Sequence, residues 1–160
     1  MVFHYASDVG KLSPSSTKEL HISRAEEILN KESGWRALTG TTNFGVIAAS
    51  SDPKHALAFD IFVNRICGYV GSYFVALHGQ VDALVFAGGI GERSDRLRRA
   101  VVEHCACLGF AVDADRNARK IEAVVQDVGP ASSAGPRVLV CQTDEQFEMA
   151  RGCAEDPALW

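Results

Sequence analysis

The residues best suited to chemistry are Phe86-Ala87-Gly88-Gly89-Ile90-Gly91-Glu92-Arg93-Ser94. An apolar run, Ala83 to Ala87, ends in two glycines and passes directly into a helical pattern. Glycine lets the backbone approach a ligand closely and take positive φ. A helix start presents free N–H groups and the positive end of a dipole. In α/β sheets, ligands bind at the carboxyl ends of strands. These features suit a nucleotide, although the two commonest nucleotide motifs are absent. No G-x-x-x-x-G-K-[ST] occurs, and Gly89-x-Gly91 is followed by Arg93-Ser94, which breaks G-x-G-x-x-G. From spacing alone, the turn either contacts a ligand or is a tight strand-to-helix connection without one.

Other candidates are weaker. His104-Cys105-x-Cys107 suggests a metal, but residues two apart on a helix point to different faces, so ordinary buried or half-buried cysteine is the plainer reading. Arg93, Arg96, Arg98 and Arg99 form a basic cluster that either attracts phosphate or forms a solvated helix face. The five cysteines are odd in number and lack a C-x-x-C, so a secreted disulfide framework is not expected and the chain reads as reduced and cytoplasmic.

Whole-chain composition narrows the classes. The 160 residues are 47% hydrophobic and 22% charged, which is enough to bury a core and too apolar for a disordered tail. Sixteen basic against 20 acidic residues give a formal charge of −4, unlike a general nucleic-acid or membrane-surface binder. No apolar run approaches the roughly 20 residues of a membrane-spanning helix. The first residues lack a basic start and an apolar core, so no signal peptide is read there.

The elements that must position the glycine turn follow from periodicity and caps. The apolar stretch Val2 to Ala6 reads as the middle of an element, and Ser13-Pro14-Ser15-Ser16-Thr17 as a connector. Ser23-Arg24-Ala25-Glu26 has capping-box spacing and predicts a helix from Arg24 to about Glu32, stopped at Gly34. Residues 35–51 read as a loop. Pro53 opens a long helix to about Leu77, apolar over most of its girth, which therefore expects neighbours such as a sheet, another helix or a partner subunit. Ala83 to Ala87 is a strand buried on both faces, and a helix from about Ser94 to Cys107 follows. Phe110-Ala111-Val112 and Arg137 to Cys141 are further strands. Thr143 is expected to cap a last helix from Asp144 to about Gly152, and the tail from Glu155 to Trp160 reads as frayed. The order is α/β with a mainly parallel sheet, small for the helices around it.

Asp82 to Ser94, DALVFAGGIGERS, resembles the adenosine-binding segment of acetate kinases, D-x-[IVL]-V-F-T-G-G-I-G-E-N-S. Leu29-Asn30-Lys31-Glu32-Ser33-Gly34 is similar to that family's L-N-K-x-S-G stretch, and Leu38 to Phe44 to its S-G-x-S-D-F loop. The run from Ala56 to Gly71 resembles the family's long helix. Thr143-Asp144-Glu145 with Met149-Ala150-Arg151 resembles its closing T-[ND]-E-E-x-x-I-A-R. The likeness covers nearly the whole chain and is nearest in phrasing to fungal members.

The resemblance implies a partial ribonuclease-H-like domain of the sugar kinase, actin and chaperone superfamily. It implies reversible transfer of the ATP γ-phosphoryl to acetate, giving acetyl phosphate and ADP, with Mg²⁺, in a homodimer paired through its C-terminal domain. The expected layout is a connector over 1–20, the nucleotide-binding part over 21–153 and a tail over 154–160. By position, Gly88, Gly89, Ile90 and Arg93, with Asn43 and Phe44 from the other loop, match the nucleotide contacts, and Glu145 matches a glutamate near Mg²⁺. Three positions depart from the pattern: Asn43 replaces an aspartate, Gly45 an arginine and Arg93 an asparagine. The family's catalytic arginines, histidine and aspartate lie upstream of the matching region, so no catalytic residue is expected in this chain. Two readings follow: the adenosine-binding part of an acetate kinase, or a non-catalytic nucleotide-binding or dimerisation remnant.

Overall fold

The structure is a computed structural model that describes Pro14, Ser16 and residues 22–132 and 134–156. The expectations for Val2 to Ala6, for most of the connector and for the last four residues lie outside the described residues. The chain divides into two compact units, Met1–Ile61 and Phe62–Trp160. The division falls within a single long helix.

In the first unit, Ser23 caps α1 (Arg24–Glu27) by accepting a hydrogen bond from the Glu26 N–H. The helix continues as a π-helical turn, Ile28–Glu32. Ser33 Oγ donates to the Ile28 carbonyl there, and Gly34 then turns the chain at φ +60°. The segment expected as loop contains two short helices, α2 (Trp35–Thr39) and α3 (Phe44–Ala49). Gly40 ends α2 in the left-handed conformation, and the Asn43 side chain caps α3 by accepting from the Val46 N–H. These helices were masked in the sequence because single-turn helices carry too few residues to show a period. Their core is Phe44, Ile47, Ala48, Ala58 and Phe59.

The long helix α4 runs from Pro53 to Ala76, as its proline start predicts. Asp52 Oδ1 accepts from the Lys54 N–H at 2.7 Å, and His78 and Gly79, both at positive φ, end it. Its wide apolar stripe is only partly covered. Ala58, Phe59 and Val63 are buried, whereas Leu57, Ile61, Tyr69 and Tyr73 are exposed, Tyr73 by 66%.

The second unit holds a three-stranded sheet of order β1 (Ala83–Ala87), β3 (Arg137–Cys141), β2 (Val125–Asp127). β1 and β3 are parallel, with Leu84 opposite Val138 and Phe86 opposite Val140. β2 and β3 are antiparallel, with Gln126 opposite Val140. The α/β class holds, but the sheet is mixed instead of mainly parallel. The expected strand at Phe110 to Val112 is not formed. Phe110 is instead a buried anchor whose ring meets Phe74 edge-on at 6.3 Å, and the strand lies further on at Val125–Asp127. Between β1 and β3 run α5 (Gly88–Arg93), α6 (Asp95–His104), a 3-10 turn (Ala106–Leu108) and α7 (Ala114–Ala118). Leu97, Val101, Val102 and Cys105 of the α6 region are buried with Val128, Val138 and Val140. The last helix, α8 (Glu145–Glu155), extends beyond the expected Gly152.

Candidate functional site

The glycine turn sits where the sequence places it. β1 ends at Ala87 and α5 begins at Gly88 with no connecting residue. Gly88 has φ +72°, a conformation that strains any residue bearing a Cβ. Gly89 is exposed, and a Cβ built on it meets nothing within 4 Å. The backbone there is open to close approach. Ile90 is half-buried, and Gly91 is buried because the chain packs on Phe86, whose backbone and Cβ would lie 3.4 Å from an added Cβ.

Two side chains fix the far end of α5. Arg98 is 2% exposed, and its guanidinium spans α5 and α7. Nη1 donates to the Gly91 and Glu92 carbonyls at 2.9 and 2.8 Å. Nε donates to Asn117 Oδ1 at 2.7 Å, and Nη2 to the Asn117 carbonyl at 2.8 Å. Asn117 Nδ2 donates in turn to the Asp95 carbonyl at 2.8 Å. Burial lowers the Arg98 pKa, an effect partly opposed by the nearby Asp95 charge. The cation is nevertheless retained, since its donors meet carbonyl dipoles that terminate α5. Arg98 is thus not part of a solvated helix face. It lies on the same α6 stripe as Leu97, Val101 and Val102, and that periodicity was the signal available in the sequence.

The second tether is Glu92. Its Oε1 accepts from the Thr143 N–H at 3.0 Å and from Thr143 Oγ at 2.9 Å. This ties the end of α5 to the chain two residues before Glu145. Thr143 is therefore not the cap of α8. Asp144 takes that role, accepting from the Phe147 N–H at 2.9 Å.

Gly88, Gly89, Ile90 and Arg93 share one short helix, with Arg93 exposed at its end. Glu145 is the exposed first residue of α8 in the same unit. Asn43 and Phe44 belong to the first unit. Asn43 is exposed and caps α3, whereas the Phe44 ring, 7% exposed, packs in the core 5.4 Å from Trp35 and 6.0 Å from Phe59. The loop-anchor role of Phe44 is thus plain from its packing.

These residues suit the groups the resemblance implies. An open glycine beside a half-buried isoleucine offers close backbone approach and an apolar surface to a nucleoside. Magnesium takes one or two carboxylates plus substrate phosphates and keeps several waters, so a single exposed Glu145 fits it. Among the described residues, no three His, Cys, Asp or Glu side chains converge as a metal set. His104 Nδ1 lies 2.8 Å from the Ala100 carbonyl, while Cys105 is buried and Cys107 exposed. Sequence reasoning missed Asn117 and a cleft of about 460 Å³ beyond α5, lined among others by Arg93, Arg119, Lys120 and Gln142. Asn117 carries no spacing signal in a five-residue helix.

Comparison with known proteins places this chain in a family. Residues 13–151 match the acetokinase family. A probable acetate kinase of Neurospora crassa is 60% identical over 189 residues, covering all of this chain and 40% of that protein. The acetate kinase of Lactiplantibacillus plantarum is 37% identical over 91% of this chain and 38% of its own length. In solved structures, the chain is similar to the acetate kinase of Entamoeba histolytica, with a TM-score of 0.71 and 25% identity over 81% of this chain and 36% of that one. It is also similar to a propionate kinase of Francisella tularensis, with a TM-score of 0.68 and 30% identity over 78% of this chain. The chain spans about two fifths of the length of the curated relatives it matches. Matched over most of its length in sequence and in fold, the chain belongs to the acetokinase family.

Proposed function

We propose that this chain supplies the adenosine-binding part of an acetate kinase, an enzyme that reversibly transfers the ATP γ-phosphoryl to the carboxylate of acetate, yielding acetyl phosphate and ADP. The observation that carries this reading is the Gly88-Gly89 turn at the carboxyl end of β1, with open space over Gly89, in a chain of the acetokinase family. Gly88 and Gly89 admit the nucleoside to the backbone, Ile90 offers the base an apolar surface, and Arg93 stands at the end of the same helix as a cation for the nucleotide. Asn43 and Phe44 are assigned to the same nucleotide on the resemblance alone. Glu145 would hold the water shell of a magnesium ion, which supplies charge neutralisation between phosphate oxygens when bound. No catalytic residue is assigned within this chain, and phosphoryl transfer belongs to the whole protein.

The exposed apolar residues of α4, Tyr69 and Tyr73 among them, favour pairing as a homodimer. The same observation supports the second reading, a non-catalytic dimerisation or nucleotide-binding module. Five free cysteines suit a reducing compartment such as the cytoplasm. Among the described residues no helix is long and apolar enough to cross a membrane.

Calorimetry of the purified chain with MgADP tests the nucleotide site, with Gly89→Val as the control. Saturable binding that the substitution removes supports the reading. No binding by a folded chain, or binding untouched by Gly89→Val, overturns it.

A further inference from the structure

The cleft beyond α5 has a charge balance unlike that of the chain as a whole. Its walls carry Arg93, Arg98, Arg119 and Lys120 against only Glu92 and Asp95, four cations to two carboxylates in a chain of formal charge −4. One of the two carboxylates is already engaged: Glu92 Oε1 accepts two hydrogen bonds from Thr143. Arg93, Arg119 and Lys120 take part in none of the ion pairs among the described residues.

Arg98 adds an independent observation. It is 98% buried, lines this cleft, and has acceptors for four of its five N–H groups. The second Nη2 N–H has none among the described residues. A buried guanidinium with one spare donor is fixed in place, with exposed cations around it. That combination recognises an anion with several acceptor oxygens. The volume, about 460 Å³, is that of a small-molecule site. Neither Gly88 nor Gly89 lines it.

We propose that this cleft binds a phosphate group, free or carried as the monoester of a small molecule, at a place separate from the Gly88-Gly89 turn. Arg119 and Lys120 supply the exposed cations, Arg98 the fixed donor, and Ile121 with Gln142 the surface on which an ester's carbon part would rest. Arg93 is shared with the proposed nucleotide contact, so the test leaves it unaltered.

Titrate the chain by calorimetry with inorganic phosphate, with glycerol 3-phosphate and with glycerol, at matched ionic strength in chloride. Saturable binding of either phosphate but not of glycerol is expected, and the tighter of the two identifies the source. Arg119→Gln combined with Lys120→Gln should weaken it at least about tenfold, since two charge-assisted contacts are removed from the exposed loop. Gly89→Val should leave it unchanged. Phosphate binding that survives the double substitution, is lost in Gly89→Val, or is matched by chloride overturns the proposal. So does its absence in a chain shown to be folded by circular dichroism. Because Gly89→Val should abolish MgADP binding and spare phosphate binding, failure of this site and failure of the nucleotide site are told apart.

Discussion

Arg98 and Asn117 grip each other twice across the second unit: Nε to the side-chain oxygen at 2.7 Å and Nη2 to the backbone carbonyl at 2.8 Å. The same guanidinium holds the last carbonyls of α5, so the helix that carries Gly89, Ile90 and Arg93 is anchored from inside. Replacing Arg98 by Leu leaves the Gly91, Glu92 and Asn117 carbonyls buried without donors. A loss of about 2–4 kcal/mol in urea unfolding is expected. Arg98→Lys should recover only part of it, because an ammonium cannot span the same fork of acceptors.

The adjacent glycines should respond in opposite ways. Gly88 has φ +72°, so Gly88→Ala forces a Cβ into the left-handed region at a cost of about 1–2 kcal/mol. Gly89 is helical with open space around it, so Gly89→Ala should be neutral or stabilising by about 0.5–1 kcal/mol. Denaturant midpoints of the two variants check this. Equal losses would mean that the turn is not built as described.

Asp127 makes acid stability local. Burial alone would raise its pKa, but the Gly129 N–H, the Arg137 guanidinium and the Arg116 charge outweigh that and hold the carboxyl below its usual range. A depressed folded value means that the stabilisation is complete above the unfolded value of about 3.9 and is lost as pH falls through the folded one. Unfolding free energy measured from about pH 5 downward should therefore fall more steeply in the wild type than in Asp127→Asn.

Thiol reactivity should follow burial. Burial pushes the Cys105 thiol up to about 12, with the hydrogen bond its S–H makes to the Cys67 sulfur adding to the effect. Cys107 and Cys153 are exposed. At neutral pH a disulfide reagent should label Cys107 and Cys153 promptly and Cys105 only on unfolding, as read by peptide mass mapping.

The longest patterns were the most legible. Pro53 and a broad apolar run announced α4, and Ala83 to Ala87 with its glycines announced β1 and the turn into α5. Short elements were not legible. α2, α3 and α7 span five or six residues each, too few to display a helical period, and β2 has only three residues. Phe110 to Val112 has strand composition, but its phenylalanine is used as a core anchor instead of in a ladder. In the site, glycines are visible because backbone geometry demands them. Arg98 reads as a surface cation because charge outweighs its position on the apolar stripe, and only its carbonyl acceptors, on two other helices, make its burial tolerable. The Glu92–Thr143 tether joins residues far apart in the chain, which no local spacing reveals.

The most direct measurement is residue-resolved. Titrate ¹⁵N-labelled chain with MgADP and follow the backbone amides by NMR. Saturable shifts concentrated at Gly88, Gly89, Ile90 and Arg93, and abolished by Gly89→Val, are expected. A folded chain whose glycine-turn amides stay still at saturating MgADP, or whose shifts lie elsewhere, would contradict the nucleotide-binding role.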